Sequence, residues 1–488
     1  MTRKISIDPI TRLEGHGKIE IFLDDKGAVE ETFFQIPELR GFERFCVGRP
    51  IEELPRIVTR ICGVCPASHH MASAKAVDGC FGNEVAPVAH KLRDMYYNAH
   101  FIHSHIAHFY ALAAPDFVCG PDSDPAMRNV LGVVAKVGLE IGGAVIASRA
   151  KAQNIQRLIG GASTQDIWCI PGGVAKGLSK EDLATISKWT DELYDFAQTS
   201  LKIFRDVVLA NKTYVDIIVN GPYNLEVQNM GLVDENNAPN FYHGKVRVVD
   251  FKGKEICKYS PMEYMNHVAE HVEPWSYLKF PFLKQRGWKG FVEGIDSSIY
   301  MATPLSRLNV ADRMATPKAQ EAFEEMYKTV GGHPCKLLLA SHWARLVEMV
   351  QNAETLQKYC KDPEITSDKF RVIPKQITGE GVGIVEAMRG TLTHHYTCDS
   401  NGICTSANLI VGTTNNMAPI HMVTKKIAKA LIKPGTEPTQ GILNMVEMGF
   451  RSFDPCFSCA THSLPGQMPL EIKIYKGGQP YREFKQYC

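Results

Sequence analysis

Arg60-Ile61-Cys62-Gly63-Val64-Cys65-Pro66-Ala67-Ser68-His69-His70 places two thiols at C-x-x-C spacing, with histidines close behind them. Near the other end, Asp454-Pro455-Cys456-Phe457-Ser458-Cys459-Ala460-Thr461-His462 repeats the arrangement. One such pair is a weak signal, but two with trailing histidines are a strong one. Four thiolates drawn together from such distant positions would bind a soft or borderline metal. Structural zinc is the plain alternative, although zinc staples are ordinarily built from knuckles close in sequence. A redox metal centre and a structural zinc site are both open on these residues alone. Either way, the chain between the hooks is a scaffold that brings its two ends together.

The composition fits such a scaffold. Of 488 residues, 44% are hydrophobic and 22% charged, which is ordinary for a globular chain. The net charge is +1 with no long basic run, which argues against nucleic acid as a partner. The opening residues, Met1 to Pro9, lack the apolar core of a signal peptide. The 14 cysteines are therefore expected to be reduced, in a cytoplasmic protein, with the paired ones binding metal or acting in catalysis. The longest weakly polar run, Val130 to Ala147, is interrupted by Lys136, Glu140 and four glycines. It predicts a buried helix rather than a membrane span.

Working outward from the first hook, Lys4 to Ile7, Lys18 to Phe22 and Val29 to Ile36 read as strands, the last two joined by a turn at Asp24 to Gly27. The loop Asp8 to Gly17 between the first two is dense in glycine, proline and ionisable groups, including Glu14. Read locally, Glu14 is a surface salt-bridge residue, yet loops of this kind also carry function. A helix starts within Pro37 to Phe45 and carries Glu43; Cys46 reads as a small buried residue.

Pro87 to Leu112 predicts a long helix, with apolar residues at three- and four-residue steps and His90, His100, His103, His105 and His108 along it. No cysteine or carboxylate ligand is spaced to join these histidines, so they read as hydrogen-bonded core and interface residues. Helical patterns continue over Ala126 to Ile159, Lys180 to Ala210, Pro317 to Thr329 and Leu339 to Cys360, and short strands occupy parts of 212–312. The glycines of Gly379 to Gly383 lack the spacing of a nucleotide fingerprint. Val382 to Val385 and Thr391 to Tyr396 read as strands around a turn holding Arg389. Asn401-Gly402 is a hairpin signal, Asn408 to Thr414 a buried strand, and two helices precede the last hook. The fold class is thus α+β, mainly helical.

Taken together, these residues resemble the large subunit of the nickel–iron hydrogenases over essentially the whole chain. The R-x-C-G-x-C-x-x-x-H pattern is matched by Arg60, Cys62, Gly63, Cys65 and His69, and D-P-C-x-x-C-x-x-H by Asp454, Pro455, Cys456, Cys459 and His462. Arg12, Glu14, Gly15 and His16 match R-x-E-G-H. The stretches Leu39 to Arg49 and Ala407 to Asn416 look most like the cytosolic, methyl-viologen-reducing members that work with heterodisulfide reductase. The resemblance implies a large single domain over residues 1–462, with a central long-helix bundle and peripheral small sheets.

It further implies roles for single residues. Cys62 and Cys456 would be terminal nickel ligands, and Cys65 and Cys459 would bridge nickel to an iron carrying cyanide and carbon monoxide. Glu43 and His462 would hold a magnesium ion. Arg389 and Asp116 would be the charged pair beside the metals, His69 a hydrogen-bond donor to a bridging thiolate, and Thr413 a donor to a cyanide. Dihydrogen would be cleaved heterolytically, its proton passing to Cys456 and then to Glu14. With both hooks used, no further cluster motif is left in the chain. A partner subunit with iron–sulfur clusters is therefore implied, together with an electron-transfer subunit leading to heterodisulfide reductase or another acceptor. The rival reading is a structural or coupling subunit of the same fold, metal-free or zinc-bound, but the four retained cysteines speak against it.

The chain departs from the family pattern at Gln165-Asp166, at Met388 and at Gly412, the last two standing where proline is frequent. None of these is a ligand position. Residues 463–488 resemble the extension that a maturation peptidase removes after the histidine, although Leu470 to Tyr475 also alternates as a strand does.

Overall fold

The computed structural model describes all residues except 1–2, 9, 37–39, 83, 436, 462–469, 477–478 and 487–488, with the backbone alone for residue 3 and for the hairpin Leu470–Lys476 and Gln479–Gln486. The alternating N-terminal segments form an antiparallel sheet of β1 (Arg3–Ile7), β2 (Lys18–Leu23) and β3 (Val29–Gln35), in that order. Ile19, Ile21 and Leu23 face the core at every second position of β2. The Asp24 carboxylate closes the turn to β3 by accepting from the backbone N–H groups of Lys26 and Ala28. The loop between β1 and β2 carries Glu14.

A short helix, α1 (Phe42–Cys46), precedes the first hook. Then come α2 (Pro66–Cys80) and α3 (Pro87–Ala107), each with proline in its first turn. The bundle is built from α3, α4 (Leu139–Gly160), α5 (Lys180–Phe204) and α6 (Ser341–Cys360). In it, α3 packs on α4 and α6, and α5 packs on the same two. The apolar stripe of α3, from Leu92 through Ile106, lies in its core. To one side sits a four-stranded sheet of β4 (Gln228–Val233), β5 (Lys245–Val249), β6 (Glu255–Tyr259) and β7 (Tyr300–Met301). Its order is β7-β4-β5-β6, with β7 parallel to β4.

The second sheet positions the site. It comprises β8 (Glu380–Ala387), β9 (Gly390–Cys398) and β10 (Cys404–Ile410), antiparallel and in sequence order. The turn between β8 and β9 holds Met388 and Arg389, as the sequence predicts. The buried guanidinium of Arg307 fixes that turn by donating to the carbonyls of Ala387 (2.9 Å) and Met388 (3.2 Å). Gly381 and Gly383 let β8 lie directly on α2. A Cβ at Gly381 would stand 2.0 Å from the Ala76 carbonyl oxygen, and one at Gly383 would stand 1.9 Å from that of Ala72. These glycines therefore serve helix–strand approach rather than phosphate binding. After β10 the chain turns, sooner than the predicted strand end at Thr414, into α7 (Met417–Leu431) and α8 (Gln440–Arg451). The last hook follows, with a single helical turn, α9 (Phe457–Ala460).

Two expectations change. The helix predicted through Leu112 leaves α geometry at Ala107 and widens into π-helical turns over His108–Ala113 and Pro115–Cys119. Pro115 has no N–H to continue an α-helical ladder. The Val130 to Ala147 run is not buried: Leu131 is 80% exposed, Leu139 84% and Ile146 72%. It breaks at Gly138 into two helices, and α4 turns buried residues into the bundle only from Ser148 onward. Among the described residues no helix is long and apolar enough to cross a membrane.

Candidate metal centre

The two hooks meet. The sulfur atoms of Cys62, Cys65, Cys456 and Cys459 all lie within 4.8 Å of one another, and all four residues are buried. Cys62 Sγ is 3.1 Å from Cys456 Sγ, Cys65 Sγ is 3.3 Å from Cys459 Sγ, and Cys456 and Cys459 are 2.9 Å apart. These separations are far beyond a disulfide bond, and the cysteines are free. The first hook is shaped locally. Cys62 leaves a short 3-10 turn in an extended conformation, and its sulfur accepts from the backbone N–H groups of Val64 (3.2 Å) and Cys65 (3.4 Å). Proline then starts α2 directly behind Cys65.

The thiols differ in acidity. Hydrogen bonding from Cys456 and its neighbours holds Cys62 well below the ordinary thiol range. Burial pushes Cys456 and Cys459 well above it. Four sulfurs so close cannot all ionise without a cation among them. A divalent metal supplies that charge and deprotonates coordinating thiols outright. The donor set suits a soft or borderline metal, nickel, iron and zinc among them.

The last hook is held from a distance. Asp454 takes a left-handed backbone conformation (φ 52°) ahead of Pro455. The Cys456 N–H donates to Thr413 Oγ1 at 3.0 Å. The Phe457 N–H donates to the Glu14 carbonyl at 3.0 Å. The Glu14 side chain curls into the same site: Oε2 accepts from Cys456 Sγ at 2.9 Å and from the Ser458 N–H at 3.2 Å, and Oε1 accepts from Ser458 Oγ at 2.6 Å. Neighbouring Gly15 has φ 87°, and a Cβ there would stand 2.9 Å from Phe457 Cβ. Only glycine lets this loop press so tightly on the last hook.

Arg389 is buried and bound to Asp454, not to Asp116. Its Nη2 lies 3.1 Å from Asp454 Oδ2, its Nε donates to the Asp454 carbonyl at 3.1 Å, and its Nη1 donates to Ser104 Oγ at 3.3 Å. Burial opposes the guanidinium charge, but Asp454 and the cysteine sulfurs outweigh it and raise the Arg389 pKa further. Asp454 is held well below the usual carboxylate range, burial notwithstanding, by Arg389 and His108. His108 Nδ1 lies 3.1 Å from Asp454 Oδ1.

Asp116 faces elsewhere. Its carboxylate accepts from Arg12 Nη2, from Asn444 Nδ2 at 3.0 Å and from Arg451 Nη1 at 3.2 Å. Asp116 lies in the second π turn, Pro115–Cys119, where Arg12, Asn444 and Arg451 hold its carboxylate. There it ties the loop bearing Glu14 to α8. Arg12 also donates to the Leu112 carbonyl at 3.0 Å and to Asn444 Oδ1 at 2.8 Å.

On α2, His69 Nε2 lies 3.4 Å from Cys459 Sγ, and its Nδ1 lies 3.2 Å from His394 Nε2. His394 Nδ1 is in turn 2.6 Å from Tyr396 Oη, which donates to Ser73 Oγ at 3.0 Å. Glu43 is buried on α1. Its Oε1 accepts from the Leu409 N–H at 2.9 Å and lies 4.0 Å from Lys279 Nζ. His462 lies outside the described residues.

The sequence reading did not single out three participants: Asp454 as the partner of Arg389, Ser458 as the holder of Glu14, and His394 behind His69. Asp454 and Ser458 both sit inside the last motif, and His394 lies one strand step from Tyr396. Their positions in the sequence carried a signal that residue type alone did not. Three further histidines of α3 are buried and hydrogen-bonded, as read from the sequence: His100 bonds Gln156 (3.0 Å), His103 accepts from Arg149 (3.2 Å) and His105 bonds Glu348 (2.9 Å), whereas His90 is half-buried.

Comparison with known proteins decides the family. A profile described as nickel-dependent hydrogenase matches residues 40–123 and 224–462, and one described as HoxL-like matches residues 4–39. The chain belongs to the nickel-dependent hydrogenases. It is the catalytic large subunit of a nickel–iron hydrogenase, an oxidoreductase acting on hydrogen.

This hydrogenase is 46% identical over 473 residues to an F420-non-reducing hydrogenase iron-sulfur subunit of Archaeoglobus profundus, covering 97% of each chain. It is 42% identical over 478 residues to a subunit of the F420-non-reducing hydrogenase of Methanothermobacter thermautotrophicus, covering 97% of this chain and 98% of that one. The crystal structure of an NAD+-reducing [NiFe]-hydrogenase in the H2-reduced state matches with a TM-score of 0.89 at 35% identity, over 94% of this chain and 100% of that chain. The fold class and the resemblance read from the motifs are thereby borne out.

Proposed function

We propose that Cys62 and Cys456 hold nickel terminally, that Cys65 and Cys459 bridge it to an iron carrying carbon monoxide and cyanide, and that Cys456 and Glu14 carry the proton away. The contact of 2.9 Å between Cys456 Sγ and Glu14 Oε2 is the observation that supports this reading most directly. When bound, the nickel–iron centre supplies the heterolytic cleavage of dihydrogen and takes up the electrons. Every other part falls to the chain. The buried Cys456 sulfur faces the Glu14 carboxylate, so a proton it takes up has an acceptor beside it. Glu14 lies within transfer distance of it. Ser458 fixes the Glu14 carboxylate through two hydrogen bonds, one to each oxygen, and the Cys456 thiol shares Oε2.

Arg389, locked by Asp454, presents a fixed permanent charge that can orient dihydrogen without being a ligand. The guanidinium and Asp454, rather than Asp116, form the charged pair of this reading. His69 would donate to the Cys459 sulfur with its ring orientation set by His394. Thr413 accepts through its oxygen from Cys456 N–H, so its own proton is available to a cyanide. Glu43 would hold magnesium together with His462. Carboxylate oxygens are ordinary magnesium ligands, and Glu43 is buried with Lys279 Nζ 4.0 Å away, a cation that magnesium would have to displace.

The electrons leave through an iron–sulfur small subunit, and from there through an electron-transfer subunit to heterodisulfide reductase or another acceptor. The relatives named as lettered subunits of F420-non-reducing hydrogenases support a multisubunit assembly of this kind. Residues 463–488 are an extension removed by a maturation peptidase after His462, and the nickel-dependent hydrogenase profile also ends at that residue. The cytoplasm is the expected location. Metal analysis and methyl-viologen-linked hydrogen oxidation of the assembly purified from its native source test the reading. Nickel stoichiometric with this chain and a co-purifying iron–sulfur polypeptide are expected. Zinc without nickel would overturn it.

A further inference from the structure

Away from the metal centre, a cleft of about 520 Å³ opens between β3, the loops around Trp275 and Phe291, and α7. That volume lies in the range of small-molecule sites. Its inner end is aromatic. Trp275 stacks on His421 with ring centroids 5.0 Å apart, Phe291 lies 4.4 Å from the same ring, and Phe33 lies 5.3 Å from Trp275. Its charged lining is Lys425, Lys426 and Lys429 together with the carboxylates of Glu31, Glu273 and Glu293. His421, Lys425 and Lys429 recur every four residues and so share one face of α7. The face thus changes along the helix from aromatic to cationic over about 12 Å.

Two further observations give this cleft the character of a site. His421 is 5% exposed, and its Nδ1 has no hydrogen-bond partner, which is uncommon for a buried polar atom. Burial lowers its pKa to about 4, so the ring is neutral and can both donate and accept. Lys425 is held by Glu31 at 2.6 Å and Lys426 by Glu293 at 3.0 Å, whereas Lys429 is exposed and makes no ion pair among the described residues.

We propose that this cleft binds a nucleoside diphosphate, with the base stacked among Trp275, Phe291 and His421 and the phosphates on Lys425 and Lys429. Aromatic faces accept any base, and lysine ammonium groups are ordinary phosphate binders. The carboxylates of Glu31, Glu273 and Glu293 line the same cleft and serve as acceptors for ribose hydroxyls. The distance from the aromatic end to Lys429 suits a diphosphate better than a monophosphate. The cleft and the metal centre share no residue, so the proposal stands apart from the proton-transfer reading.

Equilibrium dialysis of the assembled hydrogenase against ADP, adenosine and inorganic phosphate tests it. ADP binding saturable at one site per chain is expected, with adenosine weaker and phosphate alone undetectable. Lys429→Glu should weaken ADP at least tenfold, leave adenosine unchanged, and leave methyl-viologen-linked hydrogen oxidation intact. Phe291→Leu should weaken ADP and adenosine together. Absence of saturable ADP binding at millimolar concentration, or ADP affinity unmoved by Lys429→Glu, overturns the proposal. So does failure of an amine-reactive label to reach Lys425 and Lys429 in the ADP-free assembly, because a partner chain then covers the cleft.

Discussion

The two hooks carry the same thiols at the same spacing and are held in opposite ways. The first is shaped by its own neighbours: two backbone N–H groups bond the Cys62 sulfur, and proline starts a helix directly behind Cys65. The last is shaped by residues far away in sequence: Glu14, Thr413 and Arg389 through Asp454. Local support makes a rigid ligand pair. Distant support surrounds a cysteine pair with a carboxylate and a fixed guanidinium. The asymmetry accords with the proposal that the chemistry lies on the side of Cys456 and the scaffolding on the side of Cys62.

The comparison can be broken in several places. Cys456→Ser replaces a soft donor with a hard one; loss of nickel by metal analysis and of all hydrogen oxidation is expected, the largest effect of the series. Arg389→Lys keeps the charge but loses the fork held by Asp454; a fall of about 100-fold in turnover per nickel is expected, as for a lost electrostatic donor. Unchanged turnover would show that a fixed guanidinium is unnecessary there.

Acid tests both hooks at once, because each is backed by a histidine that burial keeps neutral. His70 and His108 are both lowered to about 4. Below the unfolded value of about 6.5 the unfolded chain binds protons that the folded chain refuses. Stability therefore falls as pH falls, by about 3 kcal/mol per pH unit for the two between pH 6 and about 4. Tm measured at pH 7, 6 and 5 should drop steadily, and a flat profile would contradict the burial argument.

Asp116→Asn separates the two buried aspartates. It weakens the tie between the Glu14 loop and α8, and a destabilisation of about 3 kcal/mol is expected from breaking a buried ion pair. Its turnover per nickel should change little. A loss as large as that of Arg389→Lys would restore Asp116 to the charged pair beside the metals.

The hooks, the long helices and the turn bearing Arg389 were legible in the sequence, because each rests on local spacing or periodicity, whereas Glu14 read locally as a surface salt bridge and came to the site only through the R-x-E-G-H resemblance. The partner of Arg389 was not legible. Two aspartates were available, and the choice depends on long-range contacts: Arg12, Asn444 and Arg451 hold Asp116, while Arg389 and His108 hold Asp454. Nor was the exposure of Leu131, Leu139 and Ile146, since periodicity registers a helix but not how far it projects beyond its bundle. The Gly381 and Gly383 pattern was recognisable only as unlike a nucleotide loop; its purpose appears when α2 is laid against β8.

Hydrogen–deuterium exchange by Glu14→Gln, normalised to nickel content, tests the central claim most directly. Glutamine keeps the shape of the side chain and cannot hold the proton that Cys456 releases. Full nickel content with exchange reduced at least 100-fold is the predicted result. Exchange at the wild-type rate in a nickel-replete variant would contradict it.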